Sequence, residues 1–164
     1  MKRGCVIGYD INEKGCQISY YDDSMEEPDT MMASSNNYLI PLVLGYFKDR
    51  WVFGKRQKRL AVVGEDCTET DLYGKAKAPR EVSLAGKTYD AVWLLAKYIS
   101  LTLQDFENIQ YLTFTTPETD VDMAKMLKGI GQHIGVDKEI INVQDYKESF
   151  CQYMIFQPKR TMAV

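Results

Sequence analysis

Residues 4–10 form a near-continuous apolar run closed by an acid, Gly-Cys-Val-Ile-Gly-Tyr-Asp. A run without alternation predicts a central strand buried on both faces. Residues 11–15 read as a turn. From Cys16 to Tyr21 the chain alternates, with Cys16, Ile18 and Tyr20 on one face and Gln17, Ser19 and Tyr21 on the other. Together the two segments predict a β-hairpin. The acidic stretch 22–29 reads as a solvated connection. Residues 39–45 and 50–54 predict a second hairpin turning at Lys48-Asp49, with Pro41 at the start or edge of its strand.

Residues 66–80 mix Gly, Pro and charge, and read as loop with at most short structure. A short hairpin is expected from 81–84 and 87–89, around Ala85-Gly86. From Asp90 the pattern changes: apolar residues fall on nearly all sides up to Leu101, as a buried helix requires. Residues 109–116 predict a strand that Pro117 ends. Thr119 is placed to N-cap the next helix, with Asp122 three residues on. Met123, Met126, Leu127, Ile130 and Ile134 mark its inner face, and Gly135 stops it. Residues 139–143 predict a strand and 147–156 a final helix. Strand, helix, strand, helix implies parallel strands joined by crossovers. The expected architecture is an α/β mixed sheet of about five strands with helices packed on it.

Composition narrows the function classes. The chain has 164 residues, 45 % hydrophobic and 26 % charged, which suits one ordinary domain with a real core. Its net charge of −3 argues against a nucleic-acid grip, which draws on a basic excess. The run 55–59, Lys-Arg-Gln-Lys-Arg, lacks interleaved aromatics and reads as a solvated face. Cys5, Cys16, Cys67 and Cys151 form no Cys-x-x-Cys pair, and are expected to be reduced and structural. No apolar run approaches the roughly 18 residues of a membrane span, and no secretory leader pattern opens the chain. The expectation is a cytoplasmic protein without a membrane partner. His133 is the only histidine, which leaves little room for a metal cluster or a Ser-His-Asp system. Met31, Met32, Met123 and Met126 read as core filler. Tyr20, Tyr21, Trp51 and Phe53 read as sheet packing rather than an interface.

Four strings, in order, carry a resemblance. Ile7-Gly-Tyr-Asp10 looks like an opening Ile-Gly-Ile-Asp strand. Pro41-Leu-Val-Leu-Gly-Tyr-Phe-Lys-Asp-Arg-Trp-Val-Phe-Gly54 resembles a Pro-Ser-x-Val-x-Phe hairpin ending in Val-Gly. Tyr111-Leu-Thr-Phe-Thr-Thr-Pro-Glu118, with the helix after it, is similar to an Ile-Thr-Val-Pro-Ala strand and helix. Ile140-Ile-Asn142 resembles an Ile-Ile-Asn stretch before a short helix. The order resembles the first lobe of the actin, sugar-kinase and seventy-kilodalton heat-shock chaperone superfamily, a ribonuclease-H-like fold. Residues 1–160 would be that lobe and 161–164 a tail. The chain stops after the helix that would complete the lobe, so a half-fold working with a second lobe or a protein partner is expected.

The resemblance implies ATP and Mg²⁺ in a full-length parent. Asp10 would support the metal and its waters, as a carboxylate suits a hard cation. Asn12, Glu13, Lys14 and Gly15 would form the phosphate turn, where the family has a glycine and a Thr pair. That pair is missing, and Glu13 brings negative charge that Lys14 offsets. Lys55 or Lys58 would be the phosphate lysine. Asp145 or Glu148 would orient the attacking water. The resulting expectation is a nucleotide-binding-type lobe, degenerate and inactive alone. One alternative is a non-catalytic assembly or regulatory scaffold of the same fold. Another is a ribonuclease-H-like nuclease using Asp10, Asp145 and Glu148 around two metals.

Overall fold

A computed structural model describes residues 4–54, 67–78 and 80–156. The opening hairpin joins β1 (Cys5–Asn12) to β2 (Gly15–Asp22), followed by two short strands, β3 (Asp29–Thr30) and β4 (Ile40–Pro41). The second hairpin is β5 (Leu44–Phe47) and β6 (Arg50–Phe53). After it come β7 (Thr68–Glu69), helix α1 (Leu72–Lys77), β8 (Glu81–Leu84) and β9 (Lys87–Asp90). The chain then runs through α2 (Ala91–Thr102), β10 (Ile109–Thr116), α3 (Val121–His133), β11 (Ile141–Asp145) and α4 (Tyr146–Phe156).

The main sheet has the strand order β11-β10-β1-β2-β3, with β4 also paired to β2. β1 runs parallel to β10, and β10 parallel to β11, whereas β2 is antiparallel to β1. This is the α/β mixed sheet expected from the patterning. Helices α2 and α3 cover one face. Tyr9 lies within 2.8 Å of Thr102 Oγ1 in α2 and meets the Phe114 ring edge-on at 5.5 Å.

β1 departs from its expected two-sided burial. Ile7, Tyr9 and Ile11 are buried, but Val6 is 40 % exposed and, on β10, Tyr111 is 59 % exposed. Alternation in the structure replaces continuity in the sequence because α2 and α3 lie on one face of the strand. A second, three-stranded sheet, β6-β5-β7, sits apart from the first. Its Trp51 packs 5.6 Å from Tyr89 and 5.7 Å from Trp93, so that aromatic belongs to packing, as its sequence position implied.

Turn chemistry holds where two left-handed residues are needed. Lys48 and Asp49 have φ of 48° and 58°, and Ala85 and Gly86 have 50° and 74°, the backbone that matches hairpin twist. Other boundaries shift. Asp120, not Thr119, caps α3, accepting from Met123 N at 2.7 Å, while Thr119 Oγ1 pairs with Thr116 Oγ1. Residues 138–140 form a 3₁₀ turn, so β11 begins at Ile141 rather than 139. The stretch 66–80, expected as loop with at most short structure, holds the six-residue α1, with Leu72, Tyr73 and Ala76 buried. Met32 is 62 % exposed rather than core, and Cys151 is an exposed free thiol on α4. Among the described residues no helix is long and apolar enough to cross a membrane.

Candidate functional site

Because β1, β10 and β11 are parallel, their C-terminal ends share one edge of the sheet, where open α/β sheets hold ligands. Asp10 lies near the end of β1. Across the sheet it pairs with Gln17 on β2 and Thr115 on β10, and Thr115 pairs with Gln144 on β11. Side chains of one such row leave the same face. Asp10 is the one acid among these four.

α4 starts directly after β11, and its first residue reaches back past β10. The Tyr146 hydroxyl donates to Asp10 Oδ1 at 2.7 Å. Asn12 Nδ2 donates to that same hydroxyl at 3.3 Å. Burial raises the Asp10 pKa above its ordinary value, and the Tyr146 hydrogen bond pulls it partly back. The Tyr146 hydroxyl is also pushed up, mostly by burial.

Beside this pair opens a cleft of about 480 Å³. Tyr146 and Tyr73 form walls, and Glu13, Lys14, Lys77 and Glu118 bring charge of both signs. Lys77 Nζ stands 5.5 Å from the Tyr73 ring centroid, a cation–π arrangement. The Tyr73 hydroxyl is pushed up to about 12, first by burial, then by Tyr146 and the carboxylates of Asp10, Asp120 and Glu118.

The expected phosphate turn is narrower than its sequence. Asn12 and Gly15 pair as the last rungs of the hairpin, leaving Glu13-Lys14 as a two-residue turn. The Lys14 N–H donates to Asn12 Oδ1 at 2.8 Å, so a side chain already takes that backbone donor. Gly15 does not face the cleft as an open approach: a Cβ there would overlap the Ile40 carbonyl oxygen, because β4 crosses it. Asp145 and Glu148 occupy each other. Glu148 N donates to Asp145 Oδ1 at 2.8 Å, and Asp145 N donates to Glu148 Oε2 at 3.1 Å, the reciprocal box of a helix start. Asp145 also falls one register beyond the Asp10 row, on the opposite pleat. Lys55 and Lys58 lie outside the described residues.

A magnesium–triphosphate group needs several free backbone N–H groups, small side chains and a carboxylate open to the metal's waters. The described residues do not fit that group. Asp10 Oδ1 already accepts from a tyrosine, the Lys14 amide is taken, and Glu13 and Glu118 offset the charge of Lys14 and Lys77 in the cleft. Among the described residues no set of three or more His, Cys, Asp or Glu is placed to hold a metal ion. Sequence reasoning named Asp10 but not Tyr146, Tyr73 or Lys77, which line the cleft beside it in the structure. The available signal was an aromatic residue directly after a strand-ending acid, Asp145-Tyr146, at the edge where Asp10 lies near the end of β1.

Residues 27–163 match the model of a family described as "Family of unknown function (DUF5716) C-terminal". The matched span begins after β2, so Asp10 and its hairpin precede it. No curated protein matches the chain.

Proposed function

We propose that this chain, which belongs to that family of unknown function, is a degenerate first lobe of the actin and heat-shock-chaperone type that acts as a non-catalytic assembly or regulatory module. The observation that carries this reading is the Tyr146–Asp10 hydrogen bond. It engages the carboxylate that the resemblance assigns to metal support with a hydroxyl from the chain's own α4. The hairpin followed by parallel strands joined through helices supports the likeness to the lobe. α4 supports the assembly role. Phe150, Tyr153, Met154 and Ile155 are each at least 59 % exposed, an apolar helix surface that a second lobe of the same fold or a separate protein would cover. ATP binding then belongs to neither the mechanism nor the stability of this module.

The test is calorimetric titration of Mg-ATP into the chain, with melting temperature followed in parallel and Asp10→Ala as control. A ligand that binds only the folded state stabilises it by about 2.7 kcal/mol at a hundredfold excess over Kd. The expected outcome is no saturable heat and no shift in melting temperature. Saturable binding that Asp10→Ala weakens would overturn the proposal and restore a working nucleotide site.

A further inference from the structure

At the end of the sheet away from Asp10, the start of β1, the end of β2 and the loop before β10 enclose a second cleft of about 570 Å³. Its floor is apolar. The Tyr20 and Phe106 rings lie 5.3 Å apart, and Met31 packs with them against the core. Met32 lines the same cleft while 62 % exposed. Asp29 and Asp105 stand on the rim. The Tyr20 hydroxyl donates to Asp29 Oδ2 at 3.2 Å, which ties rim to floor. The connection from β2 to β3, whose two ends line the cleft, carries exposed Asp23, Glu26 and Glu27. Among the described residues no lysine or arginine lines this cleft.

We propose that this cleft docks a basic peptide segment of a protein partner, one that carries an apolar anchor side chain. The charge selects the partner: among the described residues the rim is acidic, which attracts lysine and arginine and repels anionic chains. The floor selects the anchor. Methionine is unbranched and adapts to the shape laid on it, and aromatic rings give it rigid walls. The two parts have different work. Exposed carboxylates contribute little affinity each and are screened by salt, so they steer and orient. The buried anchor supplies most of the holding energy. This site is at the opposite end of the sheet from the Asp10 cleft, so its failure and that of the module reading are separable.

Fluorescence anisotropy of the full chain tests it, with a short fluorescein-labelled peptide of lysine, arginine and leucine as the probe. A second peptide has serine for every leucine, and a third has glutamate for every basic residue. Met32→Ser and Asp105→Lys change exposed side chains, and unchanged melting temperatures certify their folds. The expected result is saturable binding of the first peptide, weakened roughly fivefold or more by either variant. The serine peptide binds more weakly, the glutamate peptide does not bind, and added salt lowers affinity. Equal affinity for the serine peptide would reduce the site to charge attraction and overturn the proposal. So would wild-type affinity in both variants, or no binding of the first peptide to the folded chain.

Discussion

The hydroxyl of Tyr146 donates to the carboxylate of Asp10 across 136 positions of sequence. It joins the first residue of the last helix to the strand that opens the fold. Two opposed effects meet there. Burial disfavours the charged carboxylate, and the hydrogen bond favours it; burial is the larger. The folded protein therefore holds the Asp10 proton more tightly than the unfolded chain does. The associated stability is fully present below the ordinary value of 3.8 and is lost as pH rises through the raised folded value. Asp10→Asn removes the charge and keeps an acceptor for Tyr146. Its melting temperature should exceed that of the wild type at neutral pH, with the gap closing below pH 3.8. A wild type that melts higher at neutral pH would show that the Tyr146 bond outweighs burial.

Tyr98 in α2 pins the small strand β4. Its hydroxyl lies 3.0 Å from the carbonyls of both Ile40 and Pro41, and burial holds its pKa far above the ordinary tyrosine value. Tyr98→Phe removes the one hydroxyl proton that the two carbonyls share, while Pro41 O keeps the Val43 amide at 2.8 Å, at a cost of about 0.5–1.5 kcal/mol. The loss should be local. The Leu42 amide, which donates to Lys14 O at 3.2 Å, should exchange faster with deuterium, while amides of β10 keep their protection. Uniform acceleration across the sheet would mean that β4 does not open separately.

Much of this fold was legible because its elements repeat a period. The alternation of β2, the five apolar positions of α3 and the Gly135 stop at φ 96° follow from residues close in sequence. Helix α1 was not legible, for a physical reason. Six residues cannot stabilise a helix alone. This one forms around Glu69, whose carboxylate accepts from Thr70 N at 2.9 Å, Asp71 N at 2.7 Å and Lys75 Nζ at 2.6 Å. The site divides in the same way. Asp10 was visible as an acid ending an apolar strand, but no local pattern announces that Tyr146 covers it. Likewise, Gly15 looked like a phosphate-turn glycine. Its small size instead lets the Ile40 backbone cross it.

The Glu69 cluster can be tested directly. Glu69 is buried, with 8 % of its surface exposed, and Lys75 is its ion-pair partner. Glu69→Gln keeps the size and one acceptor oxygen but removes the charge that strengthens all three bonds. Lys75 is partly exposed, so the expected loss is modest, about 1–3 kcal/mol in urea unfolding. Lys75→Met, which spares the two backbone bonds, should cost less. Equal costs would place the whole contribution in the ion pair and none in the Thr70 and Asp71 amides that lead into α1.

Two glycines of α3 give a paired test of how closely that helix sits on the sheet. Gly129 is exposed, and a Cβ added there meets nothing within 4 Å. Gly129→Ala should therefore gain helix propensity alone, about 0.5–1 kcal/mol. For a chain of this size that raises the melting temperature by about 1–4 °C. Gly131 faces the core, and a Cβ there would stand 2.6 Å from Ile141 Cδ1 and 3.5 Å from Phe114 Cε2. Gly131→Ala gains the same propensity but must push a buried isoleucine of β11, an overpacking cost of about 1–3 kcal/mol. The two substitutions should thus differ in sign on one helix, two residues apart, with Gly131→Ala lowering the melting temperature. If both variants melt higher than the wild type, Ile141 turns aside without cost and the contact between α3 and β11 is looser than 2.6 Å implies.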